Sequence, residues 1–155
     1  MKLDEDSAQV RVPPPLLLLL SILIGVGLQF IYPVHLIRPI IRFVLGASMI
    51  GMGLGVILYC ARLFKKTETA IEPWKKTSHI IASGPYKWSR NPIYLSFVVI
   101  GLGFAFALDN LWIAVMQVPL VAIITVVVIR KEERYLQQKF GISYQAYKSE
   151  VRRWV

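Results

Sequence analysis

Residues 92–129 read PIYLSFVVIGLGFAFALDNLWIAVMQVPLVAIITVVVI, and this stretch decides the fold. It contains two apolar runs, residues 92–108 and 111–129, which are separated only by Asp109 and Asn110. Each run approaches the roughly 20 apolar residues that an α-helix needs to cross the core of a bilayer. Because the intervening turn is so short, we expect an antiparallel helical hairpin whose two far ends lie side by side.

Two further apolar runs, residues 16–34 and 37–64, precede the hairpin. Of the 155 residues, 55% are hydrophobic and only 17% are charged, which is too apolar for an ordinary soluble domain of this size. The sequence therefore predicts an all-α integral membrane bundle with four transmembrane helices and a C-terminal amphipathic helix. A signal peptide is the alternative for the first run, but acidic rather than basic residues precede that run.

The whole chain is predicted to form a single membrane domain. Residues 1–12 are polar and expected to be mobile, and residues 13–64 carry the first two spans. Residues 65–91 form a polar, basic loop that leads into the hairpin, residues 92–130. Residues 131–155 are expected to form helices in the cytoplasm or at its interface with the membrane.

The formal net charge of +9 is concentrated in the loop before the hairpin and in the segment after it. The turn at Asp109 and Asn110 carries no lysine or arginine. By the positive-inside rule, the basic loop and the C-terminus face the cytoplasm, and four spans place the N-terminus there too. We assign the charge to orientation and to contact with anionic lipid, not to nucleic acid. Arg42, near the outer end of the second span, is expected to extend to the headgroups.

Small residues in the second span predict close helix packing. Gly51 and Gly55 are four residues apart, a spacing that lets two helices approach each other. The single cysteine, Cys60, excludes a disulfide within the chain, and no spacing of cysteine and histidine is typical of a metal site. Cys60 is therefore expected to be a small apolar core residue.

The segment after the hairpin is predicted to contain two helical pieces. The fourth helix is expected to continue into the cytoplasm until Gly141, which favours a helix end. Ser143 is expected to cap a last short helix. Four apolar or aromatic residues share one face of that helix, which is typical of an interfacial anchor or a lid: Tyr144, Tyr147, Val151 and Trp154.

The residues able to carry chemistry flank the hairpin on one side. The stretch SGPYKWSRNPIY, residues 83–94, enters the third span, and RKEER, residues 130–134, leaves the fourth. A pocket between them offers arginine donors, glutamate acceptors and aromatic rings suited to adenine or a sulfonium cation, namely Tyr86, Trp88 and Tyr94. These groups suit S-adenosylmethionine without singling it out, because an ion pair between Arg90 and a glutamate at the headgroups explains them equally well.

Two motifs carry a resemblance to a known family. HIIASGPYKWSRNPIYL, residues 79–95, resembles the signature of the isoprenylcysteine carboxyl methyltransferases and their relatives among the phospholipid methyltransferases. EERYLQQKFGISYQAYKSEVRRW, residues 132–154, resembles the closing pattern of that family. The resemblance implies an integral membrane methyltransferase that uses S-adenosylmethionine, held on the cytosolic side by these two motifs.

The resemblance also implies the site residues. The expected cofactor-binding residues are His79, Ile80, Gly84, Tyr86, Arg90, Asn91, Pro92, Tyr94, Glu132 and Glu133. Arg90 and the two glutamates are also expected to be catalytic, Arg90 by holding a carboxylate acceptor and one glutamate as base for an amine. Only one glutamate is expected to face the pocket, because adjacent helical residues point about 100° apart. Asn91 stands where the family commonly has histidine, and an amide binds ligands but cannot shuttle a proton.

The predicted function is methyl transfer to a lipophilic acceptor at the cytoplasmic membrane interface. The expected acceptor is the carboxylate of a prenylated cysteine-like compound or a lipid amine, and a small lipophilic thiol is also compatible. The expected partners are that lipophilic substrate and membrane lipids. Two alternatives stay open. An NADPH-dependent membrane reductase is one, since sterol reductases resemble this chain in the tyrosine-rich tail. A non-catalytic helical module, such as a complex subunit or a small transporter, is the other.

Overall fold

The computed structural model describes residues 5–10, 12–35 and 39–155. Within them the regular structure is helical and contains no strand. The helices are α1 (Pro14–Ile31), α2 (Pro39–Lys66), α3 (Pro92–Ala107), α4 (Leu111–Ile123), α5 (Arg130–Phe140) and α6 (Ile142–Glu150). A 3₁₀ turn, Gly84–Lys87, lies in the loop before α3, and a π-helical segment, Ile124–Ile129, joins α4 to α5 without a break.

Three helices of the described chain are long and apolar enough to cross a membrane. They are α1, the part Ile41–Lys66 of α2, and the continuous helix Leu111–Phe140, whose apolar part ends at Ile129 before the charged α5. Helix α3 is apolar as well but has only 16 residues. The prediction of an all-helical membrane architecture is thus confirmed, while the count of four spans stays a prediction. The predicted start of the second run, at residue 37, lies outside the described residues.

Glycines decide how closely the helices pack. Helix α2 packs along α3, α1 along α4, and α3 against α4. A Cβ atom added to Gly46 of α2 would lie 2.6 Å from backbone atoms of α3, and one added to Gly25 of α1 would lie 2.7 Å from the backbone of Ile113. By contrast, Gly51 and Gly55 have open space around them. The predicted use of Gly51 and Gly55 within the bundle is therefore wrong, because their spacing does not reveal which face of α2 turns inward.

Polar contacts close the turn between α3 and α4, which we call the turn end of the bundle. Asp109 adopts a left-handed φ of 52°, which aspartate tolerates better than most residues. Asn110 accepts a hydrogen bond from the first turn of α4 and donates one to the carbonyl oxygen of Gly25. Asp109 Oδ2 lies 2.8 Å from both Arg42 Nη1 and His35 Nδ1. The tight turn is confirmed, and Arg42, expected to extend to headgroups, has a partner within the protein.

The described part of the N-terminal segment packs against the opposite end of the bundle. Ala8 and Val10 are buried in one hydrophobic cluster with Tyr94, Phe97 and Ile129. A polar, mobile segment was the expectation for residues 1–12, and the packing of these two residues differs from it. The reason is local, because two small apolar side chains find a hydrophobic surface between α3 and the π-helical segment.

The chain after α5 bends back over the same end. Helix α5 ends at Phe140, and Gly141 with a φ of 51° turns the backbone into α6, as predicted. Ser143 does not cap α6, because the helix already begins at Ile142. Tyr144 and Tyr147 of α6 are buried, so the aromatic face of this helix turns toward the bundle.

Candidate functional site

A cavity lies at the end of the bundle opposite the turn, which we call the cavity end. It is bounded by the last turn of α2 and the following loop, by the start of α3, and by α5 and α6. Its volume, including the open space at its mouth, is about 860 Å³. Eight of the ten predicted cofactor-binding residues line it: His79, Ile80, Tyr86, Arg90, Asn91, Tyr94, Glu132 and Glu133.

The other two predicted residues, Gly84 and Pro92, are not among the residues that line the cavity. Gly84 has a left-handed φ of 58°, and a Cβ there would come within 2.6 Å of the ring of Tyr59. Pro92 is the first residue of α3, where its missing N–H costs no hydrogen bond. Both residues therefore shape the loop that carries the site. Trp88, expected to flank an adenine, is 82% exposed and lies outside the cavity wall, so that prediction is wrong.

A cluster of two arginines and one glutamate forms one wall of the cavity. Arg153 Nε and Nη2 donate to Glu133 Oε1 and Oε2 over 2.9 and 2.8 Å, a bidentate pair. Arg90 Nη2 lies 3.1 Å from the same Oε1. Burial raises the pKa of Glu133, but the Arg153 hydrogen bonds and the positive charges of Arg90 and Arg153 outweigh burial and leave the pKa below its ordinary value. Glu133 is therefore ionised at neutral pH.

The guanidinium group of Arg90 is only partly used by the protein. Its side chain is 8% exposed, and both Nε and Nη1 are buried without a hydrogen-bond partner among the described residues. Buried donors of this kind are rare in folded proteins because each one loses its hydrogen bonds to water. Because Arg90 lines the cavity and keeps two donors without a partner, it is a candidate residue for binding an anion there.

Glu132 has a different environment from its neighbour in sequence. Tyr94 Oη donates a hydrogen bond of 2.6 Å to Glu132 Oε1, and no cation contacts this carboxyl in the described chain. Glu132 follows the apolar part of its helix, which ends at Ile129. Burial raises the pKa of Glu132 to about 7, and the charge of Glu133 adds to this effect, while the hydrogen bond from Tyr94 opposes it.

Both glutamates face the cavity, so the expectation that only one would do so is wrong. The cavity lies between α3 and the C-terminal segment, and side chains about 100° apart on α5 reach its two sides. Glu132 reaches Tyr94 on α3, and Glu133 reaches Arg153 near the C-terminus. Two adjacent carboxyl groups thus have pKa values moved in opposite directions, an arrangement that suits one for proton transfer and the other for charge pairing.

The backbone after α6 is fixed to the loop that precedes α3. The Arg90 amide donates to the carbonyl oxygen of Arg152 over 3.0 Å. The carbonyl oxygen of Arg153 accepts from Asn91 Nδ2 over 2.8 Å and from Ser89 Oγ over 3.3 Å. Tyr147 Oη donates to the carbonyl oxygen of Tyr86 over 2.8 Å. The amide of Asn91, expected to bind a cofactor, is therefore engaged in holding the C-terminal segment against the cavity.

Several residues at the cavity were not assigned to it from the sequence. Tyr144 and Tyr147 line it, although their helical spacing indicated only an interfacial anchor or a lid. Ala8 also forms part of the wall. Asp6 holds this N-terminal segment in place through Lys139 Nζ at 2.6 Å and through Tyr135 Oη, which donates to the backbone oxygen of Asp6 over 2.9 Å. The sequence of residues 5–10 contains no pattern that distinguishes this packing from a mobile tail.

Comparisons with known proteins place the chain among membrane methyltransferases. The model of the phospholipid methyltransferase family matches residues 41–143, which is more than half of the chain and extends from α2 into α6. An uncharacterised protein of Haemophilus influenzae is 38% identical to the chain over 65 residues, which are 41% of this chain and the whole of that protein. No solved structure matches the chain. The family match includes Arg90, Glu132 and Glu133 but ends before Arg153.

Proposed function

Because the chain belongs to the phospholipid methyltransferase family and is a multi-pass membrane protein, we propose that it transfers methyl groups from S-adenosylmethionine to a lipid amine. The observation that carries the proposal is Arg90, whose Nε and Nη1 are buried at the cavity wall without a partner. A ligand carboxylate can accept a charge-assisted hydrogen bond from one of these nitrogens, which donate on different sides of the guanidinium group. S-adenosylmethionine carries one such carboxylate.

The residues present at the cavity fit the remaining parts of this ligand. Tyr86, Tyr144 and Tyr147 provide aromatic rings, and a sulfonium cation is attracted to such ring faces. Bound there, S-adenosylmethionine supplies an electrophilic methyl group. The protein then has to align the acceptor with that methyl group and remove one proton from it, and alignment alone accounts for a large part of the barrier reduction in many enzymes.

Glu132 is the residue we assign to proton removal. An ammonium acceptor must lose a proton before its nitrogen can accept a methyl group, and the most effective base has a pKa near the working pH. Burial raises the pKa of Glu132 to about 7, which meets that requirement. Tyr94 orients the carboxyl group by donating to Oε1. Glu133 is the poorer base, because two arginines hold it in its ionised form.

A carboxylate acceptor is the second candidate, and Arg90 is the observation that favours it. A carboxylate needs no base, only a cation that holds it beside the methyl donor. Because Nε and Nη1 donate in different directions, one of them is left for such an acceptor when the other binds the carboxylate of the methyl donor. In this case Glu132 would not take part in the chemical step, so the effect of removing its charge distinguishes the two acceptors.

The orientation of the site is also part of the proposal. The loop between α2 and α3 and the segment from α5 onward carry most of the lysine and arginine residues, whereas residues 108–110 between α3 and α4 carry none, and Arg42 contacts that turn. The positive-inside rule then places the cavity end on the cytoplasmic side, where S-adenosylmethionine is dissolved. The lipid acceptor would enter from the bilayer, which surrounds the exposed apolar faces of α1 and α2.

Two measurements on the purified full-length protein in detergent test the proposal. Isothermal titration calorimetry compares S-adenosylhomocysteine with NADPH, and we expect binding of the first only. Transfer of a labelled methyl group is then measured with vesicles that contain phosphatidylethanolamine and with a prenylated cysteine, and labelling of the phospholipid supports the amine acceptor. Binding of NADPH without S-adenosylhomocysteine would identify a reductase, and binding of neither would indicate a non-catalytic module. Either outcome contradicts the proposal.

A further inference from the structure

The side chain of Arg153 acts on the cavity only through Glu133. Its Nε and Nη2 take both carboxylate oxygens of Glu133, and Arg153 itself is not among the residues that line the cavity. The backbone at Arg153 is fixed by the hydrogen bonds that its carbonyl oxygen accepts from Asn91 and Ser89. The C-terminal segment therefore delivers this guanidinium group to one defined position behind the cavity wall.

Arg153 determines how many nitrogens of the Arg90 guanidinium group contact Glu133. Glu133 Oε2 is engaged by Arg153, and Oε1 is shared between the two arginines, so Arg90 contacts Glu133 through Nη2 alone. Without Arg153, the carboxylate is free to turn and accept two parallel hydrogen bonds from Arg90, which is the preferred arrangement of an isolated arginine–carboxylate pair. That turn would give a partner within the protein to a nitrogen that has none now.

The charge of the cluster leads to the same conclusion. Two guanidinium groups and one carboxylate leave one positive charge within the cluster. Loss of Arg153 would leave a neutral pair of Arg90 and Glu133. A neutral pair attracts an anion less strongly than the positively charged cluster does. Both effects weaken the binding of a carboxylate, and neither changes the aromatic side of the cavity.

We propose that Arg153 is a positioning residue that holds Glu133 in place and thereby reserves Arg90 for the carboxylate of the bound nucleoside amino acid. The proposal rests on the proposed function, since it assumes that this ligand binds in the cavity. It assigns a role to the C-terminal segment that lies beyond the residues matched by the family. It also explains why Asn91 and Ser89 hold the backbone of that segment.

The test compares two ligands that differ in the carboxylate-bearing part. S-adenosylhomocysteine has the amino acid group, and 5′-methylthioadenosine keeps the nucleoside and the sulfur but lacks that group. In Arg153→Gln, we expect the Kd of S-adenosylhomocysteine to rise about tenfold or more and that of 5′-methylthioadenosine to stay within twofold, because a hydrogen bond to a charged group is affected. Arg152→Gln is the matched control, because it removes a neighbouring charge from an exposed side chain. It should change neither affinity.

A double-substitution cycle distinguishes positioning from a general loss of structure. If Arg153 acts through Glu133, then Arg153→Gln has little further effect on S-adenosylhomocysteine binding in the Glu133→Gln background. Full additivity, an equal loss for both ligands, or an unchanged affinity in Arg153→Gln would overturn the role. Should Arg153→Gln not fold, Arg153→Lys keeps the charge but not the bidentate geometry, and the same comparison of ligands applies. Failure of the unaltered protein to bind S-adenosylhomocysteine contradicts the proposed function itself and this role with it.

Discussion

The two ends of the α3–α4 hairpin each place a carboxylate between two basic side chains, but in the described chain the cavity of the candidate site lies beside one end and not the other. At the turn end, Asp109 contacts Arg42 and His35. At the cavity end, Glu133 contacts Arg90 and Arg153. The carboxylate side chains are 9% and 12% exposed, so their burial does not distinguish the two ends.

The difference lies in the arginines. Arg42 is 32% exposed, so donors that Asp109 does not use can reach water or headgroups, whereas Arg90 is 8% exposed and keeps two buried nitrogens without a partner. A donor with access to water costs little, and a buried one loses its full hydration. The ion pair at the turn end therefore fits a structural role, whereas the one at the cavity end retains donors for the ligand that we propose.

Removal of Arg90 should have the largest effect on activity and should show whether the two ends differ in function. We expect Arg90→Ala to lower methyl transfer at least about a hundredfold, because the site loses the cation that holds a carboxylate in place. Binding of S-adenosylhomocysteine, followed by calorimetry, should fall in parallel. Arg42→Ala is the matched control at the turn end and should leave the Kd of this ligand unchanged. Similar losses in the two variants would mean that the ends do not differ in function.

Glu132→Gln should have the second largest effect on activity. If Glu132 is the base for an amine acceptor, we expect turnover to fall about 10²- to 10⁴-fold while S-adenosylhomocysteine binds as before. In the unaltered protein, kcat/KM for that acceptor should rise as the pH increases through about 7, where Glu132 loses its proton. The rise should be absent from the variant. Turnover that is unaffected by the substitution would favour the carboxylate acceptor instead.

The raised pKa of Glu132 predicts that stability falls as the pH rises, whereas activity increases. The folded protein holds this proton at pH values where the unfolded chain has already released it, so folding takes up a proton in that range. The contribution of Glu132 to the free energy of unfolding should therefore fall as the pH rises toward about 7. Thermal unfolding of the unaltered protein and of Glu132→Gln at pH 5 and pH 8 measures this. The difference between the two proteins should change with pH in that direction, and a constant difference would contradict the assignment.

Asp109→Asn tests the other end and should affect stability instead of activity. The amide tolerates the left-handed backbone at this position, so the substitution removes the charge without straining the turn. We expect a loss of about 1–3 kcal/mol in the free energy of unfolding, because Arg42 and His35 lose their carboxylate. The Kd of S-adenosylhomocysteine should not change. A weaker Kd with unchanged melting would show that the turn end communicates with the cavity.

Asp6→Asn should have the smallest effect. Asp6 contacts Lys139 and, at 3.5 Å, Lys76, but the Asp6 side chain that both contact is 46% exposed to water. Exposed ion pairs contribute little and are screened by salt, so we expect the affinity for S-adenosylhomocysteine to change less than about threefold at low ionic strength and not at all in about 1 M salt. Glu5→Gln provides a neighbouring control. A larger change that persists in high salt would mean that the N-terminal segment closes the cavity more firmly than these contacts indicate.

The hairpin and the meeting of its two motifs could be predicted from the sequence, because both follow from local patterns. The apolar runs and the turn at Asp109 define the helices, and Gly141 ends α5 as expected. Once the hairpin is given, Arg90 and the two glutamates have to lie at the same end. The geometry of a hairpin thus accounts for most of what was predicted about the site.

The remaining features depend on which side of an element faces inward, and the sequence of one chain does not encode this locally. Gly51 and Gly55 have the spacing of a packing motif but lie on the outer face of α2. Trp88 has the chemistry of a ligand-binding ring but is exposed to solvent. Arg153 looks like any basic residue of an amphipathic tail, and only the folded C-terminal segment brings it to Glu133.

The π-helical segment Ile124–Ile129 has a consequence for how the chain tolerates changes in length. A π-helical turn accommodates one residue more than an α-helical turn, and here it lies directly before the helix that carries Glu132 and Glu133. Deletion of the exposed Val126 can be absorbed by converting this segment to α-helix, which leaves both carboxyl groups on their present sides. Deletion of Lys131, only five positions later, would turn the start of α5 by about 100° relative to the residues that follow. The extra residue of the π-helical segment therefore determines the directions in which Glu132 and Glu133 point. The chain should tolerate the deletion of one residue before Arg130 but not after it.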